Sequence, residues 1–197
     1  VEQKERDETK IHISELTKRK DILFKKIKEG LKEKPAPQLR RIFDNGHSMH
    51  ARYYKYFAEM GLLRAAELKA VDNELFSGTA DCLLTDKDGK TWLVDLKSCN
   101  SWVFKKLQEM KYEHKIQILF YMYYLNIPQG IVLYENKDDQ KLKQFKIFMT
   151  DENKKLVEDM IHEFELFKQE NLDKNIPPVI KQEPLSNVEL EEVQYGY

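Results

Sequence analysis

The chain has 197 residues, 41% of them hydrophobic and 34% charged, with a formal net charge of −1. A chain of this length buries a real core as one medium domain, no apolar run approaches a membrane span, and near-zero charge argues against a protein that simply coats DNA. Two cysteines, Cys82 and Cys99, exclude a disulfide framework and a four-cysteine zinc or iron–sulfur site within one chain; with no signal peptide in view, a reducing, cytoplasmic setting is expected.

Charge is unevenly spread. Residues 1–41 hold 13 Lys and Arg against 8 Asp and Glu, a local +5, whereas residues 181–197 hold one Lys and four Glu, a local −3. From Asp7 to Leu31, the apolar residues Leu16, Leu23, Phe24, Ile27 and Leu31 recur at helical spacing, which predicts one long amphipathic helix. Its basic face either meets nucleic acid or is a solvated surface, the commoner fate of such charge runs. Lys34-Pro35-Ala36-Pro37 breaks the chain, and a second helix is expected from about Leu39 to Leu62. Phe43, His47, His50, Tyr54, Phe57 and Gly61 share one stripe of it. A histidine on such a stripe is more often a satisfied core residue than a ligand. Glu67 to Phe76 reads as one or two short strands.

Ser77 to Ser98 is the most informative stretch. Two apolar runs, Cys82-Leu83-Leu84 and Trp92-Leu93-Val94, flank the polar turn Asp86-Lys87-Asp88-Gly89-Lys90, a strong hairpin signal. Asp81 is expected to open the first strand, while Asp95 and Lys97 close the second on the same face. Two carboxylates and an ammonium then meet at one end of an apolar sheet. Burying such charges unpaired costs several kcal/mol, and a hard divalent cation would offset that cost.

Ser98-Cys99-Asn100-Ser101 reads as a turn with Ser101 as helix cap, followed by one long helix to about Asn126. Its second half is apolar nearly all round and so buried, with His114, Gln117 and Tyr121 facing one way. Strands are expected over 130–134 and 145–149, joined by a polar hairpin, then a helix from Asp151 to Gln169 ended by Ile176-Pro177-Pro178, then an acidic tail. The order α, α, β, β, β, α, β, β, α suits an α/β fold with a mixed sheet flanked by helices.

Several of these residues fall into a known order. Gly46-His47-Ser48-Met49-His50 (G-x-x-x-H), Gly78-Thr79-Ala80-Asp81 (G-x-x-D), Asp95-Leu96-Lys97 ((D/E)-x-K) and Gln117 to Tyr121 (Q-x-x-x-Y) follow one another within about 80 residues. The set resembles the PD-(D/E)XK nuclease superfamily, in the branch of the RecB and AddB nuclease domains and lambda exonuclease. The resemblance implies a restriction-endonuclease-like core over residues 39–180, with an N-terminal helical extension (1–38) and a tail (181–197). It implies a metal-dependent DNA nuclease, most simply an exonuclease of recombination, repair or phage DNA metabolism. By the same resemblance His50, Asp81, Asp95 and the Leu96 backbone carbonyl hold Mg²⁺ or Mn²⁺, with Glu67 as a further ligand. Lys97 acts on the attacking water, near a cation that lowers its pKa, and Gln117 and Tyr121 position substrate or ligands.

Several relatives carry a cysteine cluster after a Pro-Pro near the C-terminus; the region after Pro177-Pro178 has none, so no iron–sulfur cluster is expected. DNA is the expected partner, with a recombination or replication protein and self-association both compatible, and no membrane. Three other readings stay open at this point: a non-catalytic nucleic-acid-binding or assembly module with this fold, an endonuclease or RNase with the same chemistry, and a metal enzyme of another kind.

Overall fold

The computed structural model describes residues 7–31 and 37–179. In chain order these form β1 (Ile11–His12), a 3-10 turn (Ile13–Glu15), α1 (Lys20–Glu29), α2 (Pro37–Glu59), β2 (Leu63–Asp72), β3 (Phe76–Thr85) and β4 (Thr91–Cys99). Then come α3 (Ser101–Lys106), α4 (Tyr112–Leu125), β5 (Gln129–Asn136), β6 (Leu142–Phe148), α5 (Asp151–Phe167) and a π-helical turn (Lys168–Leu172). The Lys34 to Ala36 break, the Phe43 side chain and the acidic tail lie outside the described residues. No described helix is long and apolar enough to cross a membrane.

The six strands make one mixed sheet in the order β1-β3-β4-β5-β6, with β2 also paired to β3. The expected hairpin is present. Asp86 Oδ1 accepts the Asp88 and Lys90 amides at 3.0 and 2.9 Å, and Gly89 takes φ +76°, the backbone region that glycine enters freely. β5 then pairs parallel to β4, and β6 antiparallel to β5. α2 covers one face through Met49 and Tyr53 on Cys82, Val94 and Leu96. The other face carries the larger core, in which Leu93, Val132 and Tyr134 meet Ile116, Ile118, Leu119 and Phe120 of α4 and Phe164 of α5. The expectation of an apolar, buried second half for the helix ending near Asn126 holds, since residues 118 to 122 are all buried.

Several element assignments differ from the sequence reading; the short strand or strands expected over Glu67 to Phe76 are one ten-residue strand, β2, that already begins at Leu63. The single helix expected over residues 7–31 is a strand, a 3-10 turn and a ten-residue helix. Ile11 and Ile13 alternate at strand spacing and are 0% and 1% exposed, so burial beside β3 outweighs helical periodicity there. Ile11, Ile13, Leu16, Leu23 and Phe24 belong to the main core, so this segment is packed into the domain rather than appended to it.

The long helix expected from Ser101 to Asn126 is two helices. Lys143 of β6 donates to the Phe104 and Leu107 carbonyls at 2.5 and 2.9 Å, closing α3, and the Tyr134 hydroxyl accepts the Lys111 amide where α4 begins. The cap of α3 is Asn100, whose side chain accepts the Val103 amide at 2.9 Å, and Ser101 is the first helical residue. Finally, β3 begins at Phe76, so Asp81 sits within the strand instead of opening it.

Candidate active site

β3 and β4 pair only from Cys82↔Val94 to Thr85↔Thr91. Beyond Cys82 the two strands part, and the freed edge of β3 is taken by β1 at Phe76 and Ser77, while β2 runs along its other edge. The result is a fork in the sheet, with Asp81 on one arm and Asp95-Leu96-Lys97 on the other. Leu96 loses its ladder partner on the β3 side. Its amide donates to Asp81 Oδ2 at 2.7 Å, and its carbonyl lies 3.2 Å from His50 Nε2. The unpaired backbone of the fork is thus met by a carboxylate and an imidazole instead of a strand.

His50 reaches this place from α2, with Nδ1 3.7 Å from Asp81 Oδ1. Burial pushes its pKa down, so the ring is neutral at neutral pH and free to act as a ligand. α2 is held on the sheet by Glu135 at the end of β5, which accepts from Arg52 Nη2 at 2.6 Å and from the Tyr53 hydroxyl at 2.6 Å. Those charge-assisted bonds fix the turn of helix that carries His50.

The Asp95 carboxylate is 1% exposed. Neither of its oxygens has a well-formed hydrogen bond; Lys97 Nζ lies 3.1 Å from Oδ2 as an ion pair with poor hydrogen-bond angles. Burial pushes its carboxyl up to about 6, the Lys97 charge opposing and the Asp81 charge adding. Asp81 is raised too, chiefly by burial. Lys97 is 2.9 Å from Gln117 Oε1, and Gln117 Nε2 is 3.3 Å from the Tyr121 hydroxyl, so these three form one chain of polar contacts.

The lowered Lys97 pKa expected beside a cation is not what the protein alone has. Burial acts downward, but the Asp95 and Asp81 carboxylates outweigh it, and the net shift is upward. Gly78 explains itself sterically. A Cβ there would lie 2.5 Å from Ile13 and 2.8 Å from Tyr121, so glycine lets the 3-10 turn and α4 close on β3. No such crowding surrounds Gly46.

The sequence-predicted residues therefore meet: His50, Asp81, Asp95, Leu96, Lys97, Gln117 and Tyr121 are linked by the contacts above. His47, on the same stripe as His50, is exposed. Glu67 is exposed on β2 with φ +53°, a left-handed backbone unusual for a non-glycine residue, and its charge acts on both Asp81 and Tyr54. Two residues were missed. Tyr54, one turn beyond His50, has its hydroxyl pKa raised by burial and by Asp81, Cys82, Glu67 and Asp95, which places it among the acids; its i+4 spacing from His50 was the available signal. Tyr134, beside Lys97 in the β4–β5 register, lies 2.6 Å from His114 Nδ1, and nothing in its apolar strand marked it.

Solved structures of exonucleases share this architecture. An alkaline exonuclease from Laribacter hongkongensis superposes with a TM-score of 0.56 at 20% identity, over 85% of this chain and 93% of its own. A phage-related exonuclease from Haemophilus somnus gives 0.57 at 12%, over 84% and 96%. The fold is PD-(D/E)XK nuclease-like. The same alkaline exonuclease bound to dAMP gives 0.55 at 19%, over 84% and 95%. No family model and no curated protein matches the chain by sequence.

Within this nuclease-like fold the donor set fits a divalent cation. No three His, Cys, Asp or Glu side chains among the described residues close a metal shell by themselves. Mg²⁺ does not require one, since it binds through one or two carboxylates and keeps several waters. A buried carboxylate with both oxygens short of hydrogen bonds, next to a second carboxylate, a backbone carbonyl and a neutral imidazole, offers that kind of partial shell.

Proposed function

We propose that this protein is a Mg²⁺- or Mn²⁺-dependent deoxyribonuclease that digests linear DNA from its ends, in recombination, repair or phage DNA metabolism. The observation that carries the reading is the Asp95 carboxylate, fully buried without a well-formed hydrogen bond beside Asp81 in the β3–β4 fork. Keeping it ionised there costs several kcal/mol that a purely structural site has no reason to bear. The exonucleases that share the fold favour ends over interior bonds.

Asp81, Asp95, the Leu96 carbonyl and His50 would hold the ion, with Glu67 adding charge from outside; oxygen donors suit Mg²⁺, and the imidazole tilts preference toward Mn²⁺. Such an ion supplies charge neutralisation at the phosphate and eases formation of a nucleophile from water. Lys97, fixed between Asp95 and Gln117, orients the attacking water by hydrogen bonding. Water then forms a bond to phosphorus and gives up a proton to solvent as one ester P–O bond breaks, and the departing sugar oxygen takes a proton from solvent to leave as a hydroxyl. Gln117, itself bonded to Tyr121, keeps Lys97 in place.

The test uses end-labelled linear and closed circular DNA, single- and double-stranded, with Mg²⁺, Mn²⁺ or EDTA. Linear DNA degraded from its ends only with metal, and not by Asp95→Ala or Lys97→Ala, is the expected result. Cutting of closed circles moves the assignment to an endonuclease, and no cleavage with any divalent ion overturns it. Metal alone should also raise the thermal midpoint of the wild type but not of Asp95→Ala, because an ion that binds only the folded state stabilises it.

A further inference from the structure

α3 is a six-residue helix anchored far more heavily than its size requires. Asn100 caps it, the Ser101 amide donates to Asp138 at 2.9 Å, the Ser101 hydroxyl reaches Asn136 at 3.1 Å, and Lys143 holds its last carbonyls. Yet its outer face carries Trp102, which is 58% exposed, with Lys106 Nζ 3.7 Å from the ring centre. Lys105 and Lys106 are exposed beside it. α4 restarts nearby: the Lys111 amide donates to the Tyr134 hydroxyl at 3.1 Å, Tyr134 stands beside Lys97 in the β4–β5 register, and Tyr112, next in the chain, is 59% exposed. A lone exposed aromatic needs no explanation. A rigidly mounted tryptophan among lysines, next to a proposed nuclease site, matches the chemistry that holds single strands: a π-face for a base and ammonium groups for its phosphates.

We infer that Trp102, with Lys106 and the Lys111–Tyr112 pair, forms a stacking site for an unpaired nucleotide of the DNA strand that enters the β3–β4 fork. The assignment rests on the nuclease reading for the identity of that strand. Trp102 follows Lys97 by five positions in the chain, a Cα–Cα span of at most ~18 Å. At ~3.4 Å per stacked nucleotide the platform is no more than about five nucleotides from the scissile bond. The two acidic residues of this stretch, Glu109 and Glu113, are outnumbered by Lys105, Lys106, Lys111 and Lys115, so its charge suits a phosphate backbone.

Replacing Trp92 by Phe leaves Trp102 as the single tryptophan reporter. This protein is titrated in EDTA with a 12-nucleotide thymidylate strand and with a blunt 12-base-pair duplex. The strand should quench Trp102 fluorescence. Trp102→Ala should weaken strand binding about tenfold, Trp102→Phe should recover much of it, and duplex binding should change less than twofold. Absence of quenching, or wild-type strand affinity in Trp102→Ala, overturns the inference. If metal-dependent cleavage is found alongside that negative result, the nuclease reading stands and the stacking site falls. If the strand binds and quenches but the wild type cleaves nothing, the stacking site stands and the nuclease reading falls.

Discussion

The β3–β4 hairpin contains two regions that use the same backbone in opposite ways. Near the turn, residues 82–85 and 91–94 are paired and flanked by the buried side chains of Cys82, Leu93 and Val94. Past Cys82 the ladder opens, and the freed positions hold Asp81, Asp95 and Lys97, with the Leu96 backbone bonded to side chains. The paired half gains stability from apolar burial. The forked half spends stability on desolvated charge, and the sheet around it, sealed by β1 and clamped by Arg52 and Glu135 through α2, holds it open. A site of this kind is positioned by what it does not pair with.

The largest expected effect separates the two halves outright. Asp95→Ala should lower cleavage at least a thousandfold, roughly 4 kcal/mol of barrier, while leaving a cooperative unfolding transition. Leu93→Ala, two residues earlier and fully buried, should cost about 3 kcal/mol of stability through the cavity it leaves, with kcat little changed in the fraction that stays folded. Rates under saturating metal, read beside urea midpoints, check both. Equal losses of cleavage per folded molecule in the two variants would erase the distinction.

A double replacement sharpens it. Asp95 and Lys97 form a buried pair, so removing one partner alone leaves the other uncompensated. Asp95→Asn with Lys97→Met removes both charges at similar volume. The expected outcome is a gain of about 1–3 kcal/mol in metal-free urea unfolding, with cleavage abolished. A loss of stability would mean that the pair is structural after all.

How much of this was legible in the sequence follows the same division. The paired half announced itself through Gly89 and two apolar runs, because turn chemistry and local alternation are short-range signals. The residues of the fork were legible as types and spacings, and their meeting depended on the hairpin alone. What stayed hidden was set by distant partners. Ile11 and Ile13 became strand and turn because β3 needed an edge neighbour, and the 101–126 helix broke because Lys143 and Tyr134, more than 20 residues away, took its backbone groups. Tyr134 itself sits in an apolar run and shows its role only through the β4–β5 register.

Beneath the fork, acid should act through His114. Burial, with the charges of Lys97 and Lys111, pushes its pKa down to about 3 from the ordinary 6.5, and the Tyr134 hydroxyl lies against Nδ1. Between those values the unfolded chain binds a proton that the folded protein refuses. Its contribution is therefore intact above pH 6.5 and is lost as pH falls toward 3. Asp95 runs the other way, since a carboxyl raised from 3.8 to about 6 destabilises the fold most above pH 6 and progressively less below it. Subtracting His114→Gln isolates the first effect. Between pH 7.5 and 4.5 the wild type should lose about 1–2 kcal/mol more than the variant, after allowance for partial exposure, as read from urea midpoints; parallel curves would mean that His114 titrates normally.

The smallest effect concerns Glu67, which belongs to neither half but faces the fork from β2. A non-glycine residue at φ +53° costs roughly 1 kcal/mol, part of which glycine would relieve and part of which it would return as chain entropy. The Glu67 charge also raises the Asp81 pKa, a repulsion that disappears with the carboxylate. Glu67→Gly should therefore stabilise the metal-free protein by about 0.5 kcal/mol, and Glu67→Asn, which tolerates the left-handed backbone, should do nearly as well. If Glu67 contributes charge to the cation site, both variants need about two- to fivefold more Mg²⁺ for half-maximal cleavage, because the Coulomb attraction it supplied across a partly solvated gap is modest. A gain in stability with an unchanged metal requirement would assign the strain to strand geometry alone. A residue that weakens the fold and tightens the metal would extend to β2 the exchange already visible between the two halves of the hairpin.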